Sequence, residues 1–318
     1  MSERTNKRPN GLHKAALAAL FTVGNTLIRF PWRSGEEEMP LLFLLSALGA
    51  LLPSVLVYPI LRRWLRAPLA GHRLRLVAVA LLSLLLGGYA LFAAVDCMRD
   101  YLAFARETVL PNGGWLLLCW LFVLCAVLLS GIGDRGLDGF ALLGFFAVLL
   151  CAVGLFLFGL PDLRTEHLTL RLPASPRALL SPMLALWWET LLPLVLLCAY
   201  LALVSPRGGE GAPIAGTAAG FGLLAICVLQ TLMTLGAQAA ATYPYPYAWA
   251  VRTISIGPYF FRLEGFSYLP DYLACLTRCA VCLAVVRRLV RRFFPRRTHL
   301  IRSVLLVSLS ILLPLLLL

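Results

Sequence analysis

The sequence predicts an all-α polytopic membrane protein, and three observations carry that prediction. Of the 318 residues, 60% are hydrophobic and only 14% are charged, with a mean hydropathy of +0.86. Soluble domains do not show this usage. Apolar stretches recur along the whole chain, most of them near the roughly 20 residues needed to cross a bilayer. The charges collect in short segments between those stretches. No polar segment is long enough for a second core, so residues 1–318 are expected to form one transmembrane domain.

The net charge of +13, from 28 Lys+Arg against 15 Asp+Glu, would point to nucleic acid in a soluble chain. Here the arginines lie in loops between apolar spans, where orientation and contact with anionic membrane lipids account for them. No nucleic acid partner is expected. The nine cysteines lie almost entirely inside apolar spans and read as reduced packing thiols. Cys279 and Cys282 make a C-x-x-C without a second pair or nearby histidine, so no metal and no cofactor is expected.

Residues 1–11 are a basic tail, and no small-residue cleavage site follows. The first span, about Leu12 to Phe30, contains Gly24-Asn25-Thr26 and closes on Arg29, Phe30 and Pro31. Such residues suit an unwound segment whose backbone groups meet a ligand or ion. They equally suit a small-residue helix contact. The second span, about Met39 to Leu61, follows the acidic run Glu36–Glu38 and precedes the basic loop Arg62 to Arg75. The third is about Leu76 to Cys97, with Gly87-Gly88-Tyr89. After it, Asp96–Leu110 looks amphipathic and interfacial. Trp115–Ser130 and Phe140–Leu160 are the fourth and fifth, joined by a loop carrying Asp134, Arg135 and Asp138.

The sixth span, Leu179 to Val204, organises the rest. It carries Glu189 near its middle, beside Trp187 and Trp188, with Pro182 and Pro193 in the same stretch. A carboxylate at membrane depth costs about 2.5 kcal/mol or more. Proline removes a hydrogen bond that lipid cannot replace. The span is therefore expected to be broken and to face a site, the competing reading being a kinked helix whose Glu189 pairs with an arginine. The seventh span is about Ile214 to Ala239. The eighth is about Leu263 to Val286, with Asp271 and Arg278 inside it. Val304–Leu318 is a ninth apolar stretch. If every span crosses, the tail, the Arg62–Arg75 loop and Arg287–Arg302 share one side, expected to be cytoplasmic.

At Thr242–Glu264 the chain reads TYPYPYAWAVRTISIGPYFFRLE. This resembles the B-subunit family of spore germination nutrient receptors, GerAB-type relatives of permeases. The family shows a Tyr-Pro after its seventh span, matched by Tyr243 and Pro244. An Arg, an Ile-x-Ile-Gly and a Phe-x-Arg-Leu-Glu follow, matched by Arg252, Ile254, Ile256, Gly257, Phe261, Arg262, Leu263 and Glu264. Gly24 through Pro31, Leu160-Pro161-Asp162 and Glu189 are collinear with looser features of the family. The chain departs from it at Leu186, Trp187 and Trp188, which replace glycines, and at Thr26. It also stops where a tenth span is usual.

The resemblance implies the amino acid–polyamine–organocation superfamily fold, a LeuT-like inverted repeat with about nine spans, the tenth apparently missing. It implies the spore inner membrane, a bacterial cytoplasmic membrane, and partnership with an A subunit and a lipoprotein C subunit. The expected function is sensing of a nutrient, an amino acid in the first instance, bound between broken spans 1 and 6. Its expected ligand-binding residues are Gly24, Asn25, Thr26, Tyr89, Trp187, Trp188 and Glu189. Alternatives are a proton-coupled amino-acid transporter with Glu189 as proton carrier, and a structural receptor subunit with a degenerate pocket. No P-loop, G-x-S-x-G or H-E-x-x-H is present, and the expectation is that the chain is not an enzyme.

Overall fold

The computed structural model of the chain describes residues 11–24, 26–30, 45, 47–49, 51–65, 73–109, 114–168, 176–204, 211–254 and 264–293. Among these residues the fold is helical, with no strand. In chain order, α1 is Gly11–Val23 and α2 is Tyr58–Leu65, entered through a π-helical turn at Pro53–Val57. The long helices α3 Arg73–Thr108, α4 Trp115–Gly131, α5 Asp134–Gly159, α6 Pro176–Val204 and α7 Ala212–Leu235 follow. The short α8 Ala237–Thr242 and α9 Pro246–Thr253 lead to α10 Glu264–Phe293. Among the described residues, four helical stretches are long and apolar enough to cross a membrane: Ala47–Leu65, Val77–Thr108, Asp134–Asp162 and Ala212–Leu235. Gly11–Val23, Leu117–Gly131 and Thr190–Val204 are shorter apolar helices.

Two helices form the centre. Residues Ala16 to Val23 of α1 and Ala274 to Val286 of α10 are buried on every side, as a helix surrounded by others must be. α1 packs on α5, α6, α7 and α10, and α10 packs on α3, α4, α5 and α6. The outer helices turn apolar stripes away from this core. α3 exposes Leu81, Leu84, Leu85 and Phe92, and α4 exposes Leu117, Leu121, Leu124 and Leu128. α5 exposes Leu143, Phe146, Leu150 and Leu157. Steps of three and four residues place each set on one face. A soluble protein does not display contiguous patches of this size, so the build is that of a helical membrane protein.

Small residues bring α1 and α7 into direct backbone contact. A Cβ on Gly220 would stand 2.7 Å from the Ala19 carbonyl and 2.7 Å from the Thr22 side chain, and one on Gly216 would overlap the Ala15 backbone. The two helices run parallel, because both sets of contacts advance together. Between α3 and α10 thiols do similar work. Cys279 donates to the Ala94 carbonyl at 3.5 Å, and Cys97 approaches the Cys275 carbonyl at 3.8 Å. No cysteine among the described residues is in a disulfide.

Contacts at the helix ends show how the chain threads. Arg288 pairs with Asp134, joining the end of α10 to the start of α5, and Arg292 donates to the carbonyl of Leu65 at the end of α2. At the opposite end, Arg252 donates to the Thr108 carbonyl at 2.9 Å, and the Arg164 amide donates to the Met233 carbonyl at 3.0 Å. The long helices therefore alternate in direction. Arg62, Arg63, Arg287, Arg288, Arg291 and Arg292 gather at one end.

Three expectations change. Asp96–Leu110 is not a separate interfacial helix: α3 continues without a break to Thr108, and Tyr101 and Phe104 are buried against Phe122, Tyr272, Tyr245 and Tyr268. No residue there weakens the helix, and the aromatic face meets protein. The loop before the fifth span is shorter, because α5 starts at Asp134, after a turn that needs the positive φ of Gly133. The sixth span is unbroken: α6 runs through Pro182 and Pro193 to Val204. Each proline deletes one donor, but Leu186, Trp187 and Trp188 stand where unwinding would need glycine. Val304–Leu318 lies outside the described residues.

Candidate functional site

The first span does break. α1 ends at Val23, and Gly24 and residues 26–29 form turns. The Gly24 amide still donates to the Leu20 carbonyl at 2.9 Å, and the Thr26 amide donates to Val23 at 3.0 Å, tightening the last turn. The Thr22 and Thr26 hydroxyls donate to the carbonyls four residues before them, at 2.8 and 2.7 Å. Cys275 of α10 donates to the Gly24 carbonyl at 3.4 Å. The orphan groups of the helix end are largely met inside the protein.

Against this end lies Arg278. It is 8% exposed, its guanidinium sits 5.6 Å from the centre of the Phe21 ring, and its Nε has no hydrogen-bond partner among the described residues. A Cβ on Gly24 would stand 2.8 Å from the Arg278 Cδ. Glycine is what lets the arginine lie across the chain there. A cleft opens beside it, lined by Arg278, Thr22, Thr26, Thr190, Phe21 and Pro193. It unites the end of α1 with α6 and α10. The cleft has room for about one water, so it is closed to an amino acid in this conformation.

The expected ligand-binding residues distribute unevenly around this cleft. Thr26 lines it, and Gly24 shapes it through Arg278. Tyr89, half-buried on α3 and stacked on Phe92 at 6.5 Å, lies within electrostatic reach of Arg278 but does not line the cleft. Trp188 is 73% exposed on the same face as Leu184, so it points away from the core and does not enclose a ligand here. Trp187 and Glu189 lie on α6, with side chains outside the described residues, as is Asn25 entirely.

Two groups come forward that sequence reading did not assign. Arg29, on the unwound segment, pairs with Asp96 at 2.6 Å and with Asp100, one turn apart on α3. The spacing of four between those acids was visible in the sequence; their partner was not. Asp271 is 3% exposed, and its Oδ1 has no hydrogen-bond partner among the described residues. It borders a second small void with Leu27, Ile28, Phe104, Tyr245 and Tyr247. Asp271 and Arg278 stand about 10 Å apart along α10, Arg278 beside Gly24 and Asp271 beside Leu27 and Ile28, at opposite ends of the broken segment, and do not pair.

Arg252 ties the outer layer together: besides Thr108 it donates to the Tyr268 hydroxyl at 3.2 Å and stacks over Trp249 at 4.8 Å. Tyr243 stacks on the same tryptophan, and Ile254 is buried. These positions of the Thr242–Glu264 motif hold α9 against α3 and α10. Gly257, Phe261 and Arg262 lie outside the described residues. No protein-family model matches the chain, and no curated protein matches it.

Proposed function

We propose that this chain is a permease-like sensing subunit that receives a small carboxylated nutrient, in the first instance an amino acid, beside the broken end of α1. The observation that carries the reading is the buried Arg278 guanidinium, facing a threonine-lined cleft with its Nε unpartnered. A buried guanidinium nitrogen left without an acceptor is costly unless an anion or other hydrogen-bond acceptor meets it. A carboxylate is the natural counterpart of a guanidinium. Thr22, Thr26 and Thr190 supply hydroxyl oxygens around it, and Glu189 remains a candidate for the ligand's ammonium.

The closed cleft favours sensing. A ligand must part the end of α1 from α6 to enter, so occupancy becomes a shift between two packings. The germination role, the spore inner membrane, the A and C partner subunits and the LeuT-like repeat of about nine spans rest on the Thr242–Glu264 resemblance. The Trp-filled stretch before Glu189 belongs to the unbroken α6, so only the first span contributes an unwound segment to this proposal.

The test is germination of spores lacking the gene, across single amino acids, sugars and nucleosides, followed by loss of optical density. One nutrient class should fail and be restored by the native gene but not by Arg278→Gln. Arg278→Lys should restore it partly. If every response persists, and the purified chain accumulates an amino acid in proteoliposomes, transport replaces sensing. If neither occurs, the pocket is degenerate.

A further inference from the structure

Asp271 poses a separate question from Arg278. It sits in the middle of the protein, 3% exposed, and no cation among the described residues contacts it. The ionisable groups facing it are Tyr101 on α3, Cys227 on α7, Tyr247 on α9 and Cys275 on its own helix, with Tyr245 on the same void. None of these carries a positive charge. A carboxylate so placed needs either a cation or a proton. The void beside it has room for about one water, too little for an organic ammonium. An α-amino acid cannot span the about 10 Å rise to Arg278 either.

The cover of this void is the unwound segment. Leu27 and Ile28 line it, and the next residue, Arg29, is held to Asp96 and Asp100 of α3. Lifting the cover therefore breaks both ion pairs of Arg29 and admits water to Asp271 in one movement. We propose that Asp271 is a proton-binding site beneath a latched cover, closed when the carboxyl holds its proton and open when it has released it. On release the Asp271 O–H bond breaks and the proton passes to water entering where the cover has lifted. The carboxylate left behind requires hydration, which the closed packing does not allow. This inference does not depend on what binds at Arg278.

The experiment uses the full chain in liposomes, with Ile28→Cys as a reporter for a membrane-impermeant maleimide. Rates are normalised to Thr253→Cys, an exposed position on the same end. From about pH 5 to about pH 9, a range that spans carboxyls in apolar sites, labelling of Ile28→Cys should rise at least about tenfold, as an open state of at most about 10% becomes dominant. Asp271→Asn, which stays neutral, should label slowly at every pH. Asp138→Asn, the control for another buried acid, should leave the titration intact. Arg29→Gln keeps Asp271 and removes the latch, so its midpoint should move to lower pH. Labelling that ignores pH, persists unchanged in Asp271→Asn, vanishes in Asp138→Asn or responds to sodium instead would overturn the proposal. So would an Arg29→Gln midpoint equal to the native one.

Discussion

At the residue scale, Gly24 and Arg278 constrain one another. Gly24→Ala should cost about 1–3 kcal/mol, because the added methyl meets the arginine stem with backbone behind it. Thermal unfolding in detergent would show it, and an unchanged midpoint would mean that the arginine moves aside freely. Arg29→Gln should cost less, about 1 kcal/mol, since both ion pairs are partly exposed. Gly24 was legible as a break or a close helix contact in the first span, the two readings standing even. Arg278 was legible only as a charge inside an apolar run, because the sequence does not say which helix faces it. Trp188 shows the limit from the other side: its proximity to Glu189 along the chain implied a shared pocket, yet neighbours on a helix point about 100° apart.

At the element scale, α1 and α7 lie so close that no side chain fits at Gly220. Gly220→Leu should destabilise the fold by about 2 kcal/mol or more and lower the yield of correctly folded protein on size exclusion. Gly222→Ala, with open space around it, should be neutral in the same assay. The contrast between α1 and α6 is instructive. Both carried residues that suggested interruption, but only α1 breaks, because glycine and small polar residues weaken a helix over several positions. A proline deletes one donor and lets the helix resume. The continuity of α3 through Thr108 belongs here too: apolar and polar positions alternate in Asp96–Leu110 as on an interfacial helix, and only the neighbouring α4, α9 and α10 reveal that its apolar face meets protein.

At the scale of the molecule, the outward faces of α3, α4 and α5 are apolar and the arginines gather at one end. Leu84→Arg, on an outward stripe, should reduce insertion by about 3 kcal/mol if that face meets lipid. Leu84→Phe should be tolerated. Membrane-fraction yield separates the two, and equal yields would argue against a lipid-facing surface. Arg63→Cys and Arg291→Cys should label from one side of the membrane and Thr253→Cys from the other. Labelling of all three from one side would refute the alternating path of the long helices.

Local composition was enough for the helical class and the membrane character, and it marked Gly24-Asn25-Thr26 as either a break or a small-residue contact. Apolar length, the charges between the stretches, and weak helix formers in a row carry that much. Tertiary packing was needed to show that the first span breaks, that the sixth is continuous, that Arg29 is held by Asp96 and Asp100, and that Asp271 and Arg278 lie at opposite ends of the same segment. Those facts depend on which faces meet across helices far apart in the chain. Hydropathy carries no information about that, because lipid and protein interior look equally apolar to a helix.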